Sequence, residues 1–183
     1  TVAIVGAGDE VWTAAVDDTS TLAPPPALLA PRLQLPAPLS SLAVTASPDA
    51  GTAFIGYATT AFGLTRLEAE SPTLWFSTDV SLPGAGSPLE AWFTNGRARV
   101  GLDTGAVLAL PSRVAIAPPL TDPVVDYAQG CGRQLALTRH GLYELVAVPQ
   151  ASVGAWRPLP LPPNVTLEDG RVFVVDDQLW LTS

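Results

Sequence analysis

Four times along the chain a tight turn separates two short apolar runs: Asp49-Ala50-Gly51-Thr52, Asn95-Gly96-Arg97, Cys131-Gly132-Arg133 and Asp169-Gly170-Arg171. The anchors Thr52, Arg97, Arg133 and Arg171 fall 45, 36 and 38 residues apart. Asn-Gly and Asp-Gly supply the positive φ angles of a two-residue hairpin, so each turn reads as the join between two antiparallel strands. The strands expected before the turns cover 42–46, 90–94, 124–128 and 165–168, and those after them 53–57, 98–102, 134–138 and 172–175. Each second strand then meets another turn, at Thr59-Thr60, Asp103-Thr104-Gly105, Arg139-His140-Gly141 and Asp176-Asp177. Third strands follow at 62–65, 107–110, 142–146 and 179–181, and fourth strands at 73–76, 114–117 and 156–159.

Four strands in about forty residues, repeated, is the sequence pattern of β-propeller blades. One such sheet cannot bury both of its faces, so neighbouring sheets must stack, which is why the unit recurs. The expected fold class is all-β, a β-propeller or propeller fragment with four-stranded antiparallel blades. Residues 1–183 are expected to form one propeller domain or part of one. It would comprise a partial blade at 1–41, blades at about 42–81, 89–118 and 123–161, and a partial blade at 164–183. The proline-rich stretches Leu82–Pro88, Pro118–Pro123 and Leu161–Asn164 fall between blades, where proline ends strands. The incomplete ends point to a piece of something larger, completed by the remainder of the propeller or by a protein partner.

Residues 1–18 contain a decoy. Val2-Ala3-Ile4-Val5-Gly6-Ala7-Gly8 opens like a dinucleotide-binding fingerprint, but Val11 stands where a third small residue is needed. Val11–Val16 reads as a strand, and Pro24-Pro25-Pro26 excludes a crossover helix. The stretch fits better as second and third blade strands joined by Gly8-Asp9-Glu10. Within 19–41, Leu28-Leu29 and Leu33-Gln34-Leu35 suit an outer edge strand, where proline is tolerated.

Composition narrows the function classes. A hydrophobic content of 48% with 14% charged residues argues against disorder, and no apolar run is long enough for membrane insertion. A net charge of −8 disfavours nucleic acid, which rewards basic patches. The chain has no Lys, no Met and nine Arg, a bias expected of a high-GC, bacterial coding sequence. It starts on Thr1 rather than Met, which reads as a processed product or a piece of a longer chain. The single cysteine, Cys131, excludes an internal disulfide and is expected to be a buried or partly buried thiol. His140 is the sole histidine, so no multi-histidine metal site exists within the chain, and no cofactor is expected.

The turns between second and third strands should point to one face of the disc. They would place Asp9, Glu10, Asp103, Thr104, Arg139, His140, Asp176 and Asp177 there. Loops on a rigid scaffold commonly carry recognition, while polar residues also simply make good turns. Asp176-Asp177 offers too few oxygens for a Ca²⁺ site, and no Gly-x-Ser-x-Gly elbow is present, so no catalytic residues or metal ligands are assigned. Trp75, Trp92, Trp156 and Trp180 fall on strands and are expected in the core rather than as sugar platforms.

Ser47-Pro48-Asp49-Ala50-Gly51-Thr52-Ala53-Phe54 resembles the Ser-Pro-Asp-Gly hairpin of TolB-type and WD-repeat propellers. It also resembles the Asp-box of sialidase-like propellers, and Gly141-Leu142-Tyr143 followed by Trp156–Pro160 is similar to blades of that group. The resemblance implies a fold and not a substrate, since the arginine cluster, acid and tyrosine nucleophile of sialidases have no matching set here. Thr1 with Val2–Val5 looks like the opening of an N-terminal-nucleophile hydrolase, in which the terminal amine activates the hydroxyl. Such enzymes of the proteasome type need a lysine and packed helices, and the chain has no lysine. The leading expectation is therefore a non-enzymatic interaction or scaffold module, periplasmic or extracellular or within a larger assembly. A glycan-binding or glycoside-processing propeller is the alternative.

Overall fold

The computed structural model describes residues 2–15, 30–48, 51–71, 73–84, 86–161, 167, 170–176 and 178–182. Among them every regular element is a strand, and all strand pairings are antiparallel. Contacts divide the chain into two compact units, Thr1–Leu82 with Ala91–Phe93, and Pro83–Glu90 with Thr94–Ser183.

In the first unit, β1 (Val2–Ala7), β2 (Glu10–Ala15) and β3 (Ala30–Gln34) form a three-stranded sheet in the order β1-β2-β3. A four-stranded sheet follows, in chain order, from β4 (Leu39–Ala46), β5 (Phe54–Thr60), β6 (Gly63–Ser71) and β7 (Leu74–Val80). Val11, Leu35, Ala58, Leu67, Ala69 and Trp75 form the core of this unit, with Ile4, Leu39, Leu42 and Val44 packed against it. Phe54 stacks parallel on Trp75, ring centroids 6.2 Å apart. The Ser41 hydroxyl of β4 and the Ala91 backbone exchange hydrogen bonds.

The next sheet contains β8 (Pro88–Thr94), β9 (Arg97–Leu102), β10 (Val107–Ala109) and β11 (Val114–Ala117). Another holds β12 (Val124–Gly130), β13 (Arg133–Thr138), β14 (Leu142–Val146) and β15 (Ala155–Leu159). Last come β16 (Arg171–Val175) and β17 (Gln178–Thr182), a two-stranded sheet. Each four-stranded sheet is a meander whose neighbours in space are neighbours in sequence. The fold is that of a β-propeller or a part of one, with four-stranded antiparallel sheets.

The local reasons match the turn chemistry. Asn95 and Gly96 both take positive φ, 49° and 73°, and Cys131 and Gly132 do the same at 49° and 78°. That pair of left-handed residues is what a two-residue hairpin with the right twist requires. Asp49 and Ala50 of the first turn and Asp169 of the last lie outside the described residues, as do Pro24–Pro26, Leu28 and Leu29. Cys131 differs from expectation: at the tip of a left-handed turn its side chain is carried outward, and it is exposed. Trp75 and Trp92 are core residues, 6% and 4% exposed, but Trp180 is 56% exposed, because it sits on the outward side of the β16–β17 pair.

Candidate interaction surface

Two of the turns joining second to third strands are tied down by the same device. A threonine closes two of the second strands, β5 and β13, and its hydroxyl accepts a turn amide: Thr60 from Phe62, and Thr138 from His140 and Gly141. Both threonines are buried, so the turn rests on a satisfied hydroxyl rather than on solvent. Phe62 and His140 therefore occupy matching places, and both side chains are largely exposed. The turn was expected at Thr59-Thr60, but those residues complete β5 and the tip falls on Ala61-Phe62. Phe62, 78% exposed, is thus a surface residue that strand patterning assigns to a buried run. The available signal was the Thr-x-aromatic-Gly order shared in part with Thr138-Arg139-His140-Gly141.

The expected residues divide between structural and free roles. In the second unit, Asp103 accepts the Ser87 amide on its carboxylate at 2.9 Å and the Val124 amide on its carbonyl at 2.7 Å. The Thr104 carbonyl accepts the Leu120 amide at 2.8 Å. Trp156 donates its indole N–H to the Gly105 and Pro118 carbonyls. Asp122, from the same connecting loop, meets His140 Nδ1 at 3.2 Å. One loop thus links Asp103, Thr104 and His140. Arg139 and Asp176 are exposed, Asp176 at φ 48°, and Asp177 lies outside the described residues. In the first unit, the Asp9 carbonyl accepts the Leu35 amide, its carboxylate accepts from Gln34, and Glu10 starts β2 opposite Ala7. Thr1 lies outside the described residues. Among those residues no three of His, Cys, Asp and Glu gather to hold a metal ion.

A polar cluster in the second unit joins three sheets. On β12, Asp126 accepts the Val172 amide at 2.9 Å and the Arg171 guanidinium at 3.1 Å. Glu90 on β8 is pushed up to about 7, first by burial and then by the Asp126 charge, against the pull of Arg171. Burial also pushes the Tyr127 phenol far above its ordinary value, with Asp103 and Glu90 adding to it, and its hydroxyl donates to the Leu102 carbonyl at 2.7 Å. On β14, Glu144 bridges Arg133 and Arg157, whose hydrogen bonds hold its carboxyl below the usual range. The signal for these acids was present, since Glu90 and Asp126 each interrupt an otherwise apolar first strand.

No family model and no curated protein matches the chain. Two of the solved structures that share its fold are the following. "YCF48 bound to D1 peptide" matches with a TM-score of 0.58 and 17% identity, over 94% of this chain and 58% of that one. YCF48 from Cyanidioschyzon merolae matches with a TM-score of 0.58 and 12% identity, over 94% and 59%. YCF48 is a β-propeller protein, and at these identities the likeness is one of fold. The chain spans less than three fifths of the length of the solved structures it matches.

Proposed function

We propose that this chain is a non-enzymatic protein-interaction module of β-propeller type, in which the turn that carries Phe62, between the second and third strands of its sheet, engages a segment of a partner protein. The observation that carries the reading is Phe62: a large apolar side chain, 78% exposed, held at a turn tip by the Thr60 hydroxyl. An anchored aromatic that loses little freedom on binding is the usual centre of a protein contact. The YCF48 structure with its D1 peptide supports the reading, as a solved protein of the same fold that holds a peptide. In the same proposal, the sheets described above are the blades expected at about 42–81, 89–118 and 123–161, with partial units at 1–41 and 164–183.

The test is selection of a displayed random peptide library on the immobilised chain, followed by calorimetry with the selected peptides. Phe62→Ser is expected to weaken binding by about ten-fold or more, as loss of an anchor does. Peptides that bind Phe62→Ser as tightly as the parent overturn the assignment of that turn. A selection that yields no binder overturns the function.

A further inference from the structure

Two consecutive sheets of the second unit treat the same charge differently. Arg97 and Arg133 each follow the glycine of a two-residue turn and open the second strand of their sheet. In the β12–β15 sheet, Arg133 is met at 2.7 Å by Glu144 of the third strand, and Arg157 of the fourth strand bonds the same carboxylate. Glu144 stands opposite Leu135 on one side and Arg157 on the other. The corresponding rung of the β8–β11 sheet runs Arg99, Ala109, Val114. Ala109 thus holds the place of the acid, and a second arginine, Arg99, holds the place of Leu135. Positive charge is added where the negative partner is lacking.

The surroundings supply no substitute. From residue 91 to residue 121 the one acid is Asp103, which sits in the turn at the far end of β9 and is bonded to Ser87. Arg97, Arg99 and Gly101 share one side of β9 by alternation. A β-carbon on Gly101 would meet the Tyr127 ring, so that side is turned towards β12. There Asp126 is bonded to Arg171 and the Val172 amide, β13 carries no acid, and Glu144 is held by Arg133 and Arg157. Among the described residues Arg66, Arg133, Arg157 and Arg171 are each paired with an acid, while the guanidinium groups of Arg97 and Arg99 have no hydrogen bond or ion pair. Burial, and then the Arg97 charge, lower Arg99 from its ordinary value. Arg113, whose amide bonds the Ala109 carbonyl at 2.7 Å, brings a third arginine to the same end of the sheet. Arg97 is exposed and Arg99 half-buried, so the pair is within reach of solvent.

We propose that Arg97 and Arg99 bind a carboxylate of an acidic segment of a partner protein, a glutamate or aspartate side chain that fills the place Glu144 fills in the β12–β15 sheet. Ala109 has no side chain beyond its β-carbon to occupy that place. Bonds between guanidinium and carboxylate are charge-assisted and stronger than those between neutral groups. The net charge of −8 opposes an acidic partner at a distance, which confines its docking to a place where positive charge is left unmatched. The site belongs to the second unit and stands whether or not the Phe62 turn binds a peptide.

The probe is a blocked peptide of alternating glutamate and glycine, titrated into the whole chain while the arginine side-chain N–H signals are followed by NMR. The Arg97 and Arg99 signals are expected to shift and saturate. The same peptide with glutamine in place of glutamate is expected to bind about ten-fold more weakly or worse, since it keeps the shape and loses the charge. Ala109→Glu, which supplies the acid from within as Glu144 does, is expected to abolish the shifts. Arg99→Leu is expected to weaken binding by about ten-fold, through loss of one of the two cations. Unchanged β12–β15 amide signals show that both variants are folded. Equal binding of the glutamine peptide to the parent, full binding by Ala109→Glu, or equal shifts from inorganic phosphate or acetate at the same concentration overturns the proposal.

Discussion

Leu135 and Phe173 hold the same place in consecutive sheets, yet Leu135 is 0% exposed and Phe173 is 48% exposed. Each is the third residue of a strand that begins on the arginine of a Gly-Arg pair. Leu135 and Leu137 are covered by the inner side of the β16–β17 pair, through Val172, Val174, Leu179 and Leu181. Phe173 faces the other way, opposite Trp180, with Val175 beside it, and all three are about half exposed or more.

That difference sets the cost of truncation. Leu135→Ala should destabilise by about 2–5 kcal/mol, the range for emptying a filled core position. Phe173→Ser, at a matching position with one side open to water, should lose less than about 1 kcal/mol. Urea unfolding of both variants checks this, and equal losses would mean that the outer side is covered in solution.

Glu90 makes stability depend on pH in an uncommon direction. Its folded value of about 7 stands above the ordinary 4.5, so the folded chain holds a proton that the unfolded chain releases between those values. Stability from this group is full below about 4.5 and is lost as pH rises towards 7, by about 1–3 kcal/mol. Glu90→Gln should remove the slope, matching the parent at pH 4 and exceeding it at pH 8. Thermal midpoints measured across this window decide it.

Glu144 works the opposite way. Hydrogen bonds from Arg133 and Arg157 lower its value, so its contribution is present above the ordinary glutamate range and disappears as pH falls through the folded value. Glu144→Gln should cost about 1–2 kcal/mol at neutral pH, a moderate figure because Arg157 is 61% exposed. The gap between the two proteins should close in acid, which denaturant titrations at several pH values would show.

Gly101 is present because of its neighbour. A β-carbon there would lie 2.6 Å from the Tyr127 ring, and that ring is fixed by its hydroxyl bond to Leu102. Gly101→Ala should destabilise by about 1–3 kcal/mol through overpacking. Gly132→Ala meets nothing within 4 Å but is held at φ 78°, and should cost about 1 kcal/mol. Calorimetric midpoints that ranked the two the other way would show that Tyr127 can move.

Local chemistry determined much of this protein before any fold was known. Asn95-Gly96 fixes its turn because few residues accept two successive positive φ angles, and the strands on either side follow from alternation. The repeat then requires sheets that stack, since each must cover apolar residues on two sides. Side-chain fate was a different matter. Thr60 reads as a turn residue until its hydroxyl is seen closing the turn from inside, which moves Phe62 to the surface. Asp103 reads as a surface acid until its carboxylate and carbonyl are seen bonding Ser87 and Val124. Glu90 and Asp126 are 36 residues apart in sequence and interact only because their strands belong to successive sheets. Turns and strands are set by φ angles and by period-two patterning, which are local. Burial and charge coupling depend on which segments meet, and only the tertiary structure decided that.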